Sequence, residues 1–191
     1  MKELVKDAIA NSFVELAAEK PFKQTTIKDI LTKCGISKQT FYNYFRDKYD
    51  LMNYVYLSGV EAVIAQVGGY HADMQKAGQG AAELCRGKRQ YFLTISRIDE
   101  QNSFSEYYYQ HTYDYYVRRI THNFGKEALT KEVIAALEFN CSGTQKLFVD
   151  WVRKGMIESP EYISKVIFRS MPDILKPLLL DTVEDLELPD E

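Results

Sequence analysis

The stretch from residue 25 to residue 48 constrains the fold of this 191-residue chain more than any other feature, because it predicts two short helices joined by a tight turn. Thr26 is the predicted N-cap of the first helix, since its hydroxyl can accept a hydrogen bond from an otherwise unpaired amide. The apolar residues that follow recur at helical spacing: Ile27, Ile30 and Leu31. Cys34-Gly35 ends this helix, because glycine adopts a left-handed turn at little cost.

A second short helix is predicted from Lys38 to Tyr44, with Ser37 as its N-cap. Phe41 and Phe45 lie four residues apart and must face inward. The other side chains point outward or sideways: Lys38, Gln39, Thr40, Tyr42, Asn43 and Tyr44. Two short helices joined by a brief turn that contains glycine form a helix-turn-helix.

The open face of the second helix has the chemistry that a DNA major groove requires. Gln39 and Asn43 can each bind adenine through two hydrogen bonds, and Lys38 can donate to guanine. The Thr40 methyl group can contact thymine, while tyrosine hydroxyls can reach phosphates. Lys48 follows where the next helix begins, and amides at a helix N-terminus bind phosphate. A polar helix face that is merely solvated is the alternative interpretation.

The same stretch resembles the DNA-binding motif of the TetR family of bacterial one-component regulators. The resemblance covers about residues 8–55 and depends on Thr25-Thr26, Ile30, Gly35-Ile36-Ser37, Thr40-Phe41-Tyr42, Tyr44-Phe45 and Lys48-Tyr49-Asp50-Leu51. Phe41 stands where the family often has Leu, and Lys33-Cys34 stand where Ala-Ala or similar residues are usual. The residues that we expect at the DNA are Thr26, Lys28, Lys38, Gln39, Thr40, Tyr42, Asn43, Tyr44 and Lys48.

Composition argues against several other classes of protein. A chain of 191 residues can bury a sizeable core, and its many aromatic residues with few Gly and Pro favour an all-helical fold. No apolar run approaches the ~20 residues that span a bilayer, and charges interrupt the apolar residues near the N-terminus, so we expect no signal peptide. The three cysteines are far apart, which favours buried thiols in a reducing cytoplasm over disulfides.

Charge is distributed unevenly along the chain, although the net charge is −3. Residues 1–48 contain nine Lys or Arg and six Asp or Glu, which gives +3, whereas residues 49–191 contain fifteen and twenty-one, which gives −6. A mildly basic end on an acidic body fits a protein that contacts DNA with one end only. We therefore expect a DNA-binding head over residues 1–48 and a body for ligand binding and dimerisation over residues 49–191.

The flanking helices are predicted from their apolar patterns. A first helix is expected from about Lys2 to Lys20, before Pro21. A helix that begins near Lys48 and ends at Gly68-Gly69 connects the head to the body. We expect a poorly organised connection over residues 70–80, a helix over 81–98 and a loop over 99–103. The acidic tail of residues 181–191 is expected to fray.

The segment from Phe104 to Gly125 is rich in tyrosine. The rings cannot all lie on one helix face, and apolar rings with hydroxyl tips suit the wall of an amphipathic pocket. The resemblance places effector binding near this point, and the ligand-binding residues we expect are Tyr91, Tyr108, Tyr109, Tyr113 and Tyr116. A core helix with extra tyrosines at an interface is the alternative. His111 and His122 are too far apart for a metal pair, so we expect no metal and no other cofactor.

The last two helices are predicted to associate with a second copy of the chain. Apolar stripes run from about Lys131 to Lys154 and from Pro160 to Leu179, and Pro172 is expected to kink or break the second helix. The stripes are wide, and the resemblance implies a four-helix dimer interface. The interface residues we expect are Phe148, Trp151, Ile167, Met171 and Ile174. A helical hairpin that is internal to one chain is the alternative.

These expectations combine into one hypothesis: a homodimeric, all-helical, cytoplasmic transcription regulator that binds a palindromic double-stranded DNA operator and no membrane. A small-molecule effector or a partner would modulate it. Repression is the commoner behaviour in proteins of this type. An activator that works with a co-activator protein is the alternative, since the dihydroxyacetone-kinase regulators carry a run similar to QTFYNYF at residues 39–45. The chain has no nucleophile elbow, P-loop or HExxH sequence, and a helical enzyme or an adaptor is the remaining alternative.

Overall fold

The chain folds into α-helices joined by short turns. No strand occurs in residues 2–98 and 103–180, the part of the chain that the computed structural model describes. The helices are α1 (Lys2–Glu19), α2 (Ile27–Cys34), α3 (Lys38–Tyr42), α4 (Lys48–Gln66), α5 (Met74–Gly87), α6 (Arg89–Ile95), α7 (Phe104–Phe124), α8 (Lys131–Arg153), α9 (Pro160–Arg169) and α10 (Lys176–Leu179). None of these helices is both long and apolar enough to cross a bilayer. The predicted all-helical class is confirmed.

Helices α1, α2 and α3 form an N-terminal head, and its capping residues are those predicted. The Thr26 hydroxyl accepts from the Asp29 amide at 3.2 Å, and the Asp29 carboxylate accepts from the Thr26 amide at 2.7 Å. Gly35 ends α2 in the left-handed conformation with a φ of 67°. Ser37 caps α3 by accepting from the Thr40 amide at 3.0 Å. These local contacts form the helix-turn-helix.

Helix α4 belongs to both halves of the molecule. Asp47 caps it by accepting from the amides of Tyr49 and Asp50 at 2.8 Å each. Its buried side chains are part of one hydrophobic core that extends from Ile9 in α1 to Leu179 in α10. The continuous core means that α4 connects the head to the body without a flexible joint.

The body is built from the remaining helices. Helix α5 packs between α4 and α9, and α7 packs against α8 across the short connection that joins them. Helix α6 contacts α1 of the head on one side and α5 and α8 of the body on the other. The head therefore meets the body through α6 as well as through α4.

The prediction for residues 70–98 was wrong in part. Helix α5 begins at Met74, earlier than the expected start at residue 81, and a second helix, α6, follows it. Asp73 caps α5 by accepting from the Lys76 amide at 3.1 Å. The connection that was expected to be poorly organised is thus largely a capped helix.

Two glycines in α5 explain why its sequence is atypical of a helix. A Cβ atom at Gly78 would lie 2.8 Å from the ring of Phe168, and one at Gly80 would lie 2.5 Å from a methyl group of Val63. Both distances are shorter than a carbon-carbon contact allows. The glycines permit α5 to approach α4 and α9 closely. They are required by this packing between helices, and they do not mark a turn.

Pro172 breaks the last predicted helix. Helix α9 ends at Arg169 and α10 begins at Lys176. A proline inside a helix removes an amide donor and clashes with the preceding turn, which accounts for the break. Two other predictions, the loop over residues 99–102 and the fraying of residues 181–191, lie outside the described residues.

Candidate nucleic-acid interface and ligand cavity

Helix α3 is anchored on one side and open on the other. Phe41 is fully buried and Phe45 is 3% exposed, so both rings face the core of the head as predicted. The exposed side chains are Lys38, Gln39, Tyr42 and Asn43, and the half-buried ones are Thr40 and Tyr44. The helix ends at Tyr42, two residues earlier than predicted, and the Tyr44 amide then donates to the Phe41 carbonyl in a tighter turn.

The start of α2 lies beside this face and adds two of the predicted residues, Thr26 and Lys28, which are both exposed. The Lys20 ammonium, 2.6 Å from Asp29, and the Thr26 hydroxyl hold the pKa of that carboxyl well below its usual range. Asp29 therefore stays ionised and keeps the capping box intact. Lys28 forms no ion pair with any described residue, so its ammonium can meet a phosphate.

Lys48 has partners inside the head. Its ammonium donates to the Phe22 carbonyl at 3.0 Å and to the Thr25 carbonyl at 3.2 Å, and it lies 4.4 Å from the centre of the Phe22 ring. These contacts attach the start of α4 to the turn before α2. The half-buried Lys48 side chain therefore has a structural role, which the sequence analysis did not predict.

A cavity of about 70 Å³, here called the body cavity, lies among α4, α5, α7, α8 and α9. Two of the predicted ligand-binding residues, Tyr108 and Tyr116, line it. The same wall carries polar residues that were not among those predicted: Tyr56, His111, Thr112, Tyr115, Thr144 and Ser164. They come from four different helices, so no local pattern in the sequence could have grouped them.

The other three predicted ligand-binding residues do not line the body cavity. Tyr91 lies between the head and the body, where its hydroxyl donates to the Met52 carbonyl at 3.2 Å and its ring packs edge-on against Phe13. Tyr109 and Tyr113 stack on each other with ring centres 6.2 Å apart. The sequence indicates that these tyrosines occupy more than one helix face, and the packing of the helices decides which face lines the cavity.

His111 lies at the edge of the body cavity, half-buried against two aromatic rings. The centres of the Tyr56 and Tyr107 rings are each 6.1 Å from its own. Burial, and then the positive charge of Arg118, lower the pKa of His111 from the ordinary value of 6.5, while Asp114 raises it. The lowering effects dominate, so the imidazole is neutral at pH 7 in the folded protein.

This lowered pKa predicts a pH-dependent stability. Because the unfolded chain binds a proton at His111 more readily than the folded chain, the free energy of unfolding falls as the pH drops from above 6.5 through the pKa of the folded state. We expect His111→Gln to lose less stability than the unmodified chain between pH 7.5 and 5.5, as measured by urea denaturation. Equal losses would show that another group is responsible.

Four of the five predicted dimer-interface residues are largely buried within one chain. Phe148, Trp151, Ile167 and Met171 are 2%, 3%, 7% and 3% exposed. Side chains buried to this extent leave little surface for contact with a second copy. Ile174 alone among the five is substantially exposed, at 44%. The apolar stripes are wide because α8 and α9 each pack against several helices of their own chain.

The outward side of α8 carries a different apolar stripe, here called the α8 ridge. It consists of residues four apart: Ala135, Phe139, Gly143 and Leu147. Phe139 is 73% exposed and Leu147 is 40% exposed, while a Cβ atom at Gly143 would meet no other atom within 4 Å. Large apolar side chains thus alternate with small residues on an open helix face, which permits close approach of another helix.

Two family models match the chain. The model of bacterial regulatory proteins of the tetR family matches residues 13–55, and the model of a transcriptional regulator C-terminal region matches residues 81–173. The first match contains the helix-turn-helix, and the second contains most of the body. No curated protein matches the chain significantly.

Solved structures of similar fold include the dihydroxyacetone kinase operon activator DhaS, with 18% sequence identity and a TM-score of 0.64 over 91% of this chain and 96% of that chain. A protein described as a TetR-family transcriptional regulator from Syntrophomonas wolfei has 16% identity and a TM-score of 0.58 over 97% of this chain and 100% of that chain. At such identities the likeness concerns the fold alone. The two family models together match more than half of the chain and carry the assignment: the chain belongs to the TetR family of bacterial regulatory proteins and is a transcriptional regulator.

Proposed function

We propose that the protein is a cytoplasmic repressor that binds a palindromic operator as a homodimer and is released by a small-molecule effector. Residues 1–48 act as the DNA-binding head and residues 49–191 as the body for ligand binding and dimerisation. The observation that carries the proposal is the polar face of α3, which is exposed while Phe41 and Phe45 anchor the opposite side in the core.

The exposed side chains of α3 are proposed to read bases, and their neighbours to bind phosphates. Gln39 and Asn43 have the amide groups that recognise adenine, and Lys38 can donate to guanine. Thr26, Lys28 and the tyrosines at positions 42 and 44 are placed around them for backbone contacts. Lys48 contributes by holding the start of α4 in place, since its ammonium is bonded to Phe22 and Thr25.

Dimerisation is proposed to occur through the α8 ridge. A two-fold dimer would place the two recognition helices about 34 Å apart, one turn of DNA. Two heads acting together would also compensate for the modest charge of +3 on each. The exposed Phe139 is the proposed anchor of this interface, because aromatic side chains dominate the binding energy of such surfaces.

Signal transfer is proposed to run through α4 and α6. Tyr56 of α4 lines the body cavity, and the same helix begins directly after α3. Tyr91 of α6 bonds to Met52 of α4 and packs on Phe13 of α1. An effector that binds better to a conformation with misplaced heads would lower operator affinity, whereas equal affinity for both conformations would change nothing.

Activation of transcription is the second candidate. The similar fold of DhaS, described as an operon activator, favours it. A reporter gene fused to the operator separates the two candidates, because removing the protein raises expression for a repressor and lowers it for an activator. Gel shifts with the DNA that flanks the coding region test operator binding itself. Failure to shift any fragment of that DNA at low salt would contradict both.

Gln39→Ala is the sharpest test of base reading. We expect about a tenfold loss of affinity for the operator, concentrated at particular base pairs, because a bidentate contact discriminates bases by about 1–3 kcal/mol. Affinity for random DNA should stay unchanged. Gln110→Ala removes an exposed glutamine from α7 in the body and serves as the control. If Gln39→Ala discriminates between operators as before, Gln39 does not read bases.

A further inference from the structure

The wall of the body cavity has a chemical character that restricts what can bind there. Most of its surface is aliphatic or aromatic, with side chains such as Val60, Ile64, Phe148 and Ile167. None of the described residues that line it is Asp, Glu, Lys or Arg. An ion that entered this space would lose its hydration without gaining an opposite charge, which is strongly unfavourable.

Three hydroxyl groups on this wall have no hydrogen-bond partner among residues 2–98 and 103–180. They belong to Tyr56, Tyr116 and Thr144, which are 2%, 3% and 6% exposed. Two neighbouring hydroxyls on the same wall are satisfied, since Tyr115 donates to the Gly69 carbonyl and Ser164 donates to the Gln75 carbonyl, both at 2.8 Å. The oxygens of these three hydroxyls are open to the cavity, so a molecule that enters it can form hydrogen bonds with them.

These hydroxyls are neutral hydrogen-bond donors. Burial raises the pKa of Tyr56 and of Tyr116 well above the usual value for a phenol. A carbonyl or hydroxyl oxygen, which accepts hydrogen bonds while remaining uncharged, matches them better than an ammonium group.

The size of the body cavity favours a small ligand. Its volume of about 70 Å³ is roughly five times the space that one water molecule requires. A cavity of about 150 Å³ holds benzene, so a compound of about five to seven non-hydrogen atoms occupies this smaller cavity only if the side chains around it move apart or if part of the compound stays in the opening.

We propose that the body cavity binds a small, uncharged, branched aliphatic compound of this size with one oxygen-containing polar group, such as a ketone, an amide or an alcohol. The polar oxygen accepts from Tyr56, Tyr116 or Thr144, and the aliphatic part packs against the apolar wall. This inference specifies the effector of the proposed repressor and rests on that proposed function.

A neighbouring pocket differs from the body cavity in charge. It shares Ile64, His111 and Tyr115 with the body cavity, and it also contains Glu61 and Arg118. The two charged side chains do not line the body cavity, whose described residues therefore offer an ion no opposite charge.

Four isosteric compounds with six non-hydrogen atoms test the proposal: 3-methyl-2-butanone and isobutyramide, which are neutral, isobutyrate, which is an anion, and 3-methyl-2-butylamine, which is a cation at pH 7. Dissociation constants are measured with the full chain by ligand-detected NMR. We expect both neutral compounds to bind in the millimolar range or tighter, and both ions to bind at least tenfold more weakly. Equal or tighter binding of either ion, or no binding of both neutral compounds, would overturn the proposal.

Two conservative variants test the hydroxyls. Tyr116→Phe and Thr144→Val keep the shape of the wall, and each is expected to weaken binding of the neutral compounds about three- to tenfold. Tyr109→Phe, which changes a tyrosine of the same helix outside the cavity, is the matched control and should bind normally. Unchanged affinity in both test variants would contradict the assigned contacts.

Operator gel shifts without added compound separate this inference from the proposed function. If the protein binds its operator but neither neutral compound binds to the protein, this inference alone is refuted. If the protein does not bind operator DNA, the proposed function is refuted.

Discussion

Phe41→Ala is expected to lower the free energy of unfolding by about 3–5 kcal/mol, the usual cost of truncating a fully buried phenylalanine. Phe41 is 0% exposed, and its ring lies 5.5 Å from that of Tyr42 and 5.8 Å from that of Phe45, centre to centre. The truncation would leave a cavity and remove the ring that anchors α3 to the rest of the head. Since domains are stable by only about 5–15 kcal/mol, operator binding should fall sharply. Urea denaturation followed by circular dichroism measures the stability change.

Tyr42→Ala is the matched control for this prediction. Tyr42 is the next residue along the chain, but its side chain is 48% exposed. We expect a stability loss of about 1 kcal/mol, well below that of Phe41→Ala, because Tyr42 is half exposed and the substitution removes one edge-on ring contact, with Phe41. Operator affinity should still decrease, since Tyr42 lies on the proposed DNA face. A large loss of stability in Tyr42→Ala, or a small one in Phe41→Ala, would mean that α3 is oriented differently.

Phe139→Asp is expected to weaken dimerisation at least about 100-fold, because truncating an aromatic anchor costs about 2 kcal/mol or more and the new carboxylate must also be desolvated. The variant should sediment as a monomer at micromolar concentration in analytical ultracentrifugation. Its operator affinity should fall in parallel, since one head alone makes half of the phosphate contacts. The fold of each chain should persist, because Phe139 is 73% exposed.

Ile157→Asp separates loss of a dimer interface from a general effect of surface charge. Ile157 is 76% exposed and lies in the turn between α8 and α9, away from the α8 ridge. The Ile157→Asp substitution introduces the same carboxylate as Phe139→Asp, but outside the proposed interface. We expect this variant to remain dimeric. A Phe139→Asp protein that stays dimeric would place the interface elsewhere, for example around the exposed Ile174.

Much of the head could be predicted from the sequence because its determinants are local. Thr26 and Asp29 are three residues apart, and the side chain of each accepts a hydrogen bond from the amide of the other. Gly35 provides the left-handed turn, and Ser37 caps the next helix. Each interaction joins residues within a few positions of one another, so spacing alone identifies it. The inward position of Phe41 and Phe45 follows from helix periodicity in the same way.

The body was predicted less accurately because its residues are placed by helices that are distant in sequence. Gly78 was interpreted as part of a loop, although it lies in α5 where Phe168 leaves no room for a side chain. The apolar stripe of α8 is wide, and its width predicts a dimer interface that includes Phe148 and Trp151. That stripe is covered by the chain itself, as the stacking of Phe148 on Tyr108 at 4.7 Å illustrates.

Capping, periodicity and turn chemistry act over a few residues, so they specify the helical class, the helix-turn-helix and the polar side of α3 without reference to the rest of the chain. The packing of distant helices specifies which tyrosines line the body cavity, which hydroxyls are left without a partner, and that the exposed ridge of α8 is centred on Phe139 and Leu147. The physical reason is that burial is a property of packed helices: the same apolar stripe can face its own chain or another one, and only the packing determines which.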